Sequence, residues 1–252
     1  MCEGVKKFLD EDYKYIIFND GKDWPDITNY MDVEQGKIGI TKKCIELNIE
    51  CINIPNQAHK KYINASQRHT DSLTFVLNYM KNNKDEYLML DSDMFIIDYF
   101  NLNIYRRYCC ACVIQERPRI RYIWGNFFYI NMLTIKNLNL LNFNLIKGSD
   151  TGSGSSTWLK SLDNTDDIYV ITHLPSGTWN ETNIPSNINK ILLNYLHFDK
   201  RNINNTFFCE IYDKKIFHYR AGSNWMNEKP LLHEQNITKL VNTINHIINT
   251  IL

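Results

Sequence analysis

The chain lacks a net charge, a long apolar run and a P-loop, and each absence removes a class of function. Its 28 basic side chains balance 28 acidic ones, so no global field draws it to nucleic acid or to an anionic membrane, and any polyanion must be met locally. Apolar runs such as Tyr87-Leu88-Met89-Leu90 fall far short of the roughly 20 residues that cross a bilayer, so no membrane span is expected. Met1 to Lys7 leads into Asp10-Glu11-Asp12 with no hydrophobic segment between, and a cytoplasmic, non-secreted protein is expected. The glycines of Gly148 to Ser156 are not followed by Gly-Lys-Ser/Thr, which excludes a Walker-type phosphate loop.

Cysteine is present in an odd number, seven, which fits free thiols in a reducing compartment. Cys109-Cys110-Ala111-Cys112 has no partner Cys-x-x-Cys or His pair at zinc spacing and abuts Val113-Ile114, so it reads as a buried strand. Asn and Ile make up roughly a quarter of the residues, a skew that points to AT-rich coding rather than to a fold. The Asn-x-Ser/Thr sequons at Asn64, Asn180, Asn204 and Asn236 follow from that skew and are given no role.

What is present is globular. Hydrophobic residues at 44% and charged residues at 22% exclude a disordered chain, a collagen and a coiled coil. A length of 252 residues suits a single α/β domain over 1–252. Tyr13 to Phe18 reads as a strand stopped by Asn19-Asp20-Gly21, Ile38 to Leu47 as a helix, and Glu50 to Ile54 as a strand before Pro55. Leu73, Val76, Leu77 and Met80 mark one face of a helix starting near Ser66, which feeds the apolar strand Glu86 to Leu90. Strands alternating with helices predict a mostly parallel sheet. Cys110 to Ile114, Gly125 to Asn131, Ile168 to Thr172 and a hairpin of Phe207 to Tyr212 with Ile216 to Tyr219 add a small antiparallel or mixed extension. Ile237, Leu240, Val241, Ile244, Ile247, Ile248 and Ile251 form an amphipathic helix expected to pack on the sheet.

Asp-x-Asp alone carries little, and Asp10-Glu11-Asp12, in a charged segment before the first strand, receives no role. Asp91-Ser92-Asp93 differs, because an apolar strand delivers it and Met94-Phe95-Ile96-Ile97 follows. Two carboxylates at the carboxyl end of a strand repel unless a cation lies between them, and oxygen donors suit Mn²⁺ or Mg²⁺, which in turn neutralise a diphosphate. Far downstream, Phe217 to Trp225 offers His218, Arg220, Gly222, Ser223 and Asn224 in one segment. Trp124-Gly125-Asn126 has the aromatic, glycine and amide that suit a sugar ring, placed before a strand, with core packing of Trp124 as the alternative. Arg68 and His69 in the first helical turn could reach a base or phosphate, against an exposed helix start.

A strand-borne Asp-x-Asp with a late His-Tyr-x-x-Gly-x-x-Trp-like block resembles the GT-A class of nucleotide-sugar glycosyltransferases, over roughly Tyr13 to Trp225. The compact form and AT-rich skew resemble those encoded by large DNA viruses, whose setting would be the host cytoplasm. The resemblance implies a GT-A-like single domain, a Rossmann-like, mostly parallel mixed sheet flanked by helices with a small antiparallel extension. Its nucleotide-binding half would be about 1–100 and its acceptor half, with the C-terminal helix, about 101–252. It implies Mn²⁺ or Mg²⁺ held by Asp91, Asp93 and His218, and a UDP-sugar donor engaged by Asp91, Ser92 and Asp93. Arg220 with the Gly222 to Asn224 amides would then face the phosphates. Asp20, after the first strand, would meet the nucleobase or ribose. Asp150, in the Gly148 to Ser156 loop, would be the base of an inverting transfer to a hydroxyl of a glycan or glycoconjugate, against an N-cap for the helix around Trp158. The Glu-Asp pair usual in relatives of that fold is absent. Two competitors remain: a sugar-nucleotide nucleotidyltransferase, disfavoured because no Gly-rich basic loop follows the first strand, and a Ca²⁺-dependent carbohydrate-binding module.

Overall fold

The computed structural model describes residues 1–22, 36–61, 65–162, 167–185, 188–220 and 230–250. The protein is a mixed α/β chain whose elements fall into two compact units. The first gathers Met1–Glu11, Leu90–Leu102 and Ile171–Leu252, and the second Asp12–Met89 and Asn103–Val170.

Helix α1 (Cys2–Phe8) belongs to the first unit. In the second unit, β1 (Ile16–Asn19) and β2 (Glu50–Asn53) pair in parallel, with α2 (Lys37–Glu46) between them in the chain and α3 (Ala65–Asn82) after them. A four-stranded sheet follows in the order β3 (Glu86–Leu90), β6 (Ile120–Asn131), β5 (Cys110–Arg117), β7 (Ile168–Val170). Leu73, Val76, Leu77 and Met80 recur at one helical face of α3 and are buried in one cluster with Cys110, Cys112, Ile123, Phe128, Ile130 and Trp158. Each such side chain contributes about 1.5–3 kcal/mol by leaving water. Gly125 on β6 is what lets Leu73 approach, since a Cβ there would collide with the Leu73 side chain. The cysteine-rich run lies buried in β5, as expected, and burial together with Asp167 pushes the Cys109 thiol up to about 11.

In the first unit, β4 (Met94–Ile96), β10 (Ile216–His218), β9 (Glu210–Tyr212) and β8 (His173–Leu174) form a sheet in that order, every pairing antiparallel. Helices α5 (Lys190–Phe198) and α6 (Pro230–Thr250) belong here, while the short α4 (Ser156–Lys160) belongs to the second unit. Asn189 caps α5 by accepting the Ile191 N–H at 2.8 Å. Leu240, Ile244 and Ile247 give α6 a buried stripe, but that stripe packs chiefly on α5 and α1 rather than on the sheet, and Val241 is exposed. Among the described residues no helix is long and apolar enough to cross a membrane.

The expectation of a mostly parallel sheet needs correction. Parallel pairing is seen between β1 and β2 and between β5 and β7, whereas β5–β6 and all of the first unit's sheet are antiparallel. Connection length decides two of these pairs: the two residues between β5 and β6, and the three between β9 and β10, are too few for the crossover that a parallel pair requires. The strands β4 and β8 and the helices α1 and α5 were not expected.

Candidate functional site

The site grows out of the register of β4 and β10. Asp91-Ser92-Asp93 is a tight turn entering β4, closed by the Met94 N–H donating to the Asp91 carbonyl at 3.1 Å. His218 stands opposite Met94 in the ladder, and the Tyr219 N–H donates to the Asp93 carbonyl at 2.9 Å. Antiparallel pairing thus brings together two residues more than a hundred positions apart. His218 Nε2 lies 3.2 Å from Asp93 Oδ1, and its Nδ1 lies 2.9 Å from Glu210 Oε2 on the neighbouring strand β9.

Glu210 is fully engaged. Its Oε2 also accepts the Tyr212 hydroxyl at 2.6 Å, and its Oε1 accepts the Ser176 N–H at 3.2 Å and faces Arg220 Nε at 3.5 Å. Burial alone would lower the His218 pKa, but the Asp93 and Glu210 carboxylates outweigh it and hold it at about 9. Burial would likewise raise Glu210, yet the His218, Tyr212 and Ser176 hydrogen bonds bring it below the ordinary carboxylate value. At neutral pH the trio is therefore an imidazolium clasped by two carboxylates. Burial and Glu210 push the Tyr212 hydroxyl up, so it remains a donor.

This donor set suits a small divalent cation in part. Asp93 supplies a hard oxygen and His218 Nε2 a nitrogen, while Glu210 fixes the ring from its other nitrogen, as a carboxylate behind a metal-bound histidine does. Asp91 is not drawn into the trio; its Oδ1 accepts the N–H of exposed Ser92 at 2.7 Å. Among the described residues no three His, Cys, Asp or Glu side chains are arranged to hold a metal ion. Arg220 is half exposed, with φ at 44°, and its guanidinium donates to the Ser176 hydroxyl at 3.2 Å. Gly222, Ser223 and Asn224 lie outside the described residues.

The second unit carries the remaining candidates. Asp20 directly follows β1, and its carboxylate takes the Ser72 hydroxyl at 2.5 Å and faces His59 Nδ1 at 3.2 Å. His59, buried, also faces Asp71 at 3.7 Å. Asp20 thus holds β1 to α3 and to the segment after β2 through these side chains. Arg68 is half-buried in the first turns of α3, where its carbonyl accepts the Ser72 hydroxyl, and His69 is half-buried beside it. Ser66 lies inside α3 rather than before it, and its hydroxyl donates to Asp150 Oδ1 at 2.8 Å.

Asp150 is not an N-cap. Ser155 occupies that position for α4, and Asp150 Oδ1 instead accepts the Thr151 N–H at 2.8 Å together with Ser66. Its Oδ2 has no protein donor among the described residues. Trp124, Gly125 and Asn126 lie within β6, not before a strand; Trp124 and Asn126 are half-buried and Gly125 is buried. Of the sequons, Asn236 is buried and donates to Asp199 at 2.9 Å, and Asn180 caps the turn 181–183.

Two features escaped the sequence reading. Glu210 left a signal, an acid within the apolar run Phe207 to Tyr212. Asp199-Lys200-Arg201 left none, since it looks like a solvated charge run; yet Asp199 and Arg201 are wholly buried and paired at 2.7 Å. The Arg201 guanidinium lies 3.6 Å from the Tyr219 ring centroid, directly before Arg220. No family model matches the chain, nor does any curated protein or solved structure.

Proposed function

We propose that the protein is a metal-dependent glycosyltransferase that moves a sugar from a nucleoside-diphosphate donor, a UDP-sugar, to a hydroxyl of a glycan or glycoconjugate. The contact between Asp93 and His218, with Glu210 behind the imidazole, carries this reading. A bound Mn²⁺ or Mg²⁺ would supply charge against the leaving diphosphate. Asp93 and His218 would hold it, the histidine as neutral imidazole, so that cation binding releases the Nε2 proton. Asp91, whose Oδ1 accepts the Ser92 N–H, would join them through its carboxylate.

The chain's own groups do the rest. Arg220, kept near Glu210 and Ser176, stabilises negative charge as it grows on the departing phosphate. Asp150, in the second unit, is the candidate base: it would take the acceptor hydroxyl's proton on Oδ2, with Oδ1 held and oriented by Ser66 and Thr151. With Asp150 as base rather than nucleophile, transfer proceeds by single displacement with inversion.

A thermal-shift panel of nucleoside diphosphates and sugar nucleotides, with and without Mn²⁺, tests the proposal, because a ligand that binds only the native state raises the melting temperature. UDP with Mn²⁺ should raise it and Asp93→Asn should abolish the metal-dependent part. A panel without any metal-dependent nucleotide shift overturns the reading.

A further inference from the structure

The second unit carries a cleft of its own. Its volume is about 420 Å³, within the range of small-molecule pockets, and its lining includes Arg117, Arg119, Lys147, Lys160, Ser149 and Ser156. Four cations therefore line one cleft in a chain whose net charge is zero. No carboxylate lines the cleft, and none of the four cations pairs with one among the described residues; the neighbouring Glu116 is taken by Arg121 at 3.4 Å. Like charges gathered without counter-charge repel one another, and an anion relieves that repulsion.

Backbone conformation makes a second argument. Arg117 pairs with Ile120 across a two-residue turn, Pro118-Arg119, and Arg119 has φ at +72°. Glycine or asparagine is the favoured occupant of such a position, and another side chain there costs on the order of 1 kcal/mol. The turn thus presents Arg119 at the cleft in a conformation that glycine would adopt without strain.

From these two observations we infer that the cleft binds a small phosphorylated molecule of about sugar-bisphosphate size. Arginine presents paired N–H donors that match phosphoryl oxygens, and two arginines with two lysines suit two phosphoryl groups. Ile120 and Ile146 add apolar lining that suits an uncharged body. A nucleic-acid strand is disfavoured, because no aromatic ring lines the cleft for a base to stack on. The inference does not rest on the transferase reading, although the cleft takes in Lys147 to Ser149 of the loop that carries Asp150.

Calorimetric titration of the full chain in chelator, with inorganic pyrophosphate and with a hexose bisphosphate, tests it. Saturable one-to-one binding that weakens with salt is expected, tighter for the hexose bisphosphate. Arg119→Gly relieves the backbone and removes the cation together, so the melting temperature should hold or rise while affinity falls about tenfold or more. Absence of saturable binding, an Arg119→Gly affinity equal to the parent's, or tighter binding of a single-stranded oligonucleotide than of the bisphosphate would each overturn the inference.

Discussion

Replacing Asp199 by alanine strands a buried guanidinium. Both side chains of the Asp199 and Arg201 pair are fully buried, and the carboxylate takes Arg201 Nε at 2.9 Å and a terminal guanidinium nitrogen at 2.7 Å. It also accepts Asn236 at 2.9 Å, the Cys209 thiol at 3.2 Å and the Arg201 backbone N–H at 3.0 Å. Removing one partner of such a pair costs about 3–5 kcal/mol, because the other charge stays out of water without compensation. That is a large share of the roughly 5–15 kcal/mol that holds a protein folded. In a chain of this size it corresponds to a melting temperature lower by about 6–20 °C. Urea denaturation followed by tryptophan fluorescence measures the loss. The double variant Asp199→Leu, Arg201→Met should recover much of it, since an apolar pair needs no counter-charge. If Asp199→Ala moved stability by less than about 1 kcal/mol, the guanidinium must reach water, and the burial argument fails.

Titration of His218 gives a second expectation. Its folded pKa of about 9 exceeds the ordinary 6.5, so in chelator its stabilisation is complete below pH 6.5 and fades as pH rises through 9. The span is about 3 kcal/mol, read as a falling melting temperature between pH 7 and 10 that is absent in His218→Gln. Gly152→Ala should cost about 2 kcal/mol or more by chemical denaturation, because φ there is +90° and a Cβ would strike the Ile123 carbonyl. Asp150→Asn should retain the UDP and Mn²⁺ thermal shift while losing transfer measured by UDP release; near-normal turnover would remove Asp150 from the role of base.

The sequence by itself determined those elements whose apolar spacing is strong and local. The 3.6-residue period of Leu73, Val76, Leu77 and Met80 specified α3, the apolar run before Asp91 specified β3, and Cys110 to Ile114 specified a buried strand. It also singled out Asp93 and His218, because unusual side chains set against apolar strands stand out. Only the tertiary structure decided the rest. The ladder between β4 and β10 places His218 beside Asp93, and the adjoining strand β9 adds Glu210. Asp199 and Arg201 carry no local sign of burial, and only the fold makes them an internal ion pair. Periodicity is a property of neighbouring residues, whereas desolvation and pairing depend on which distant segments fold against them, and no local pattern carries that information.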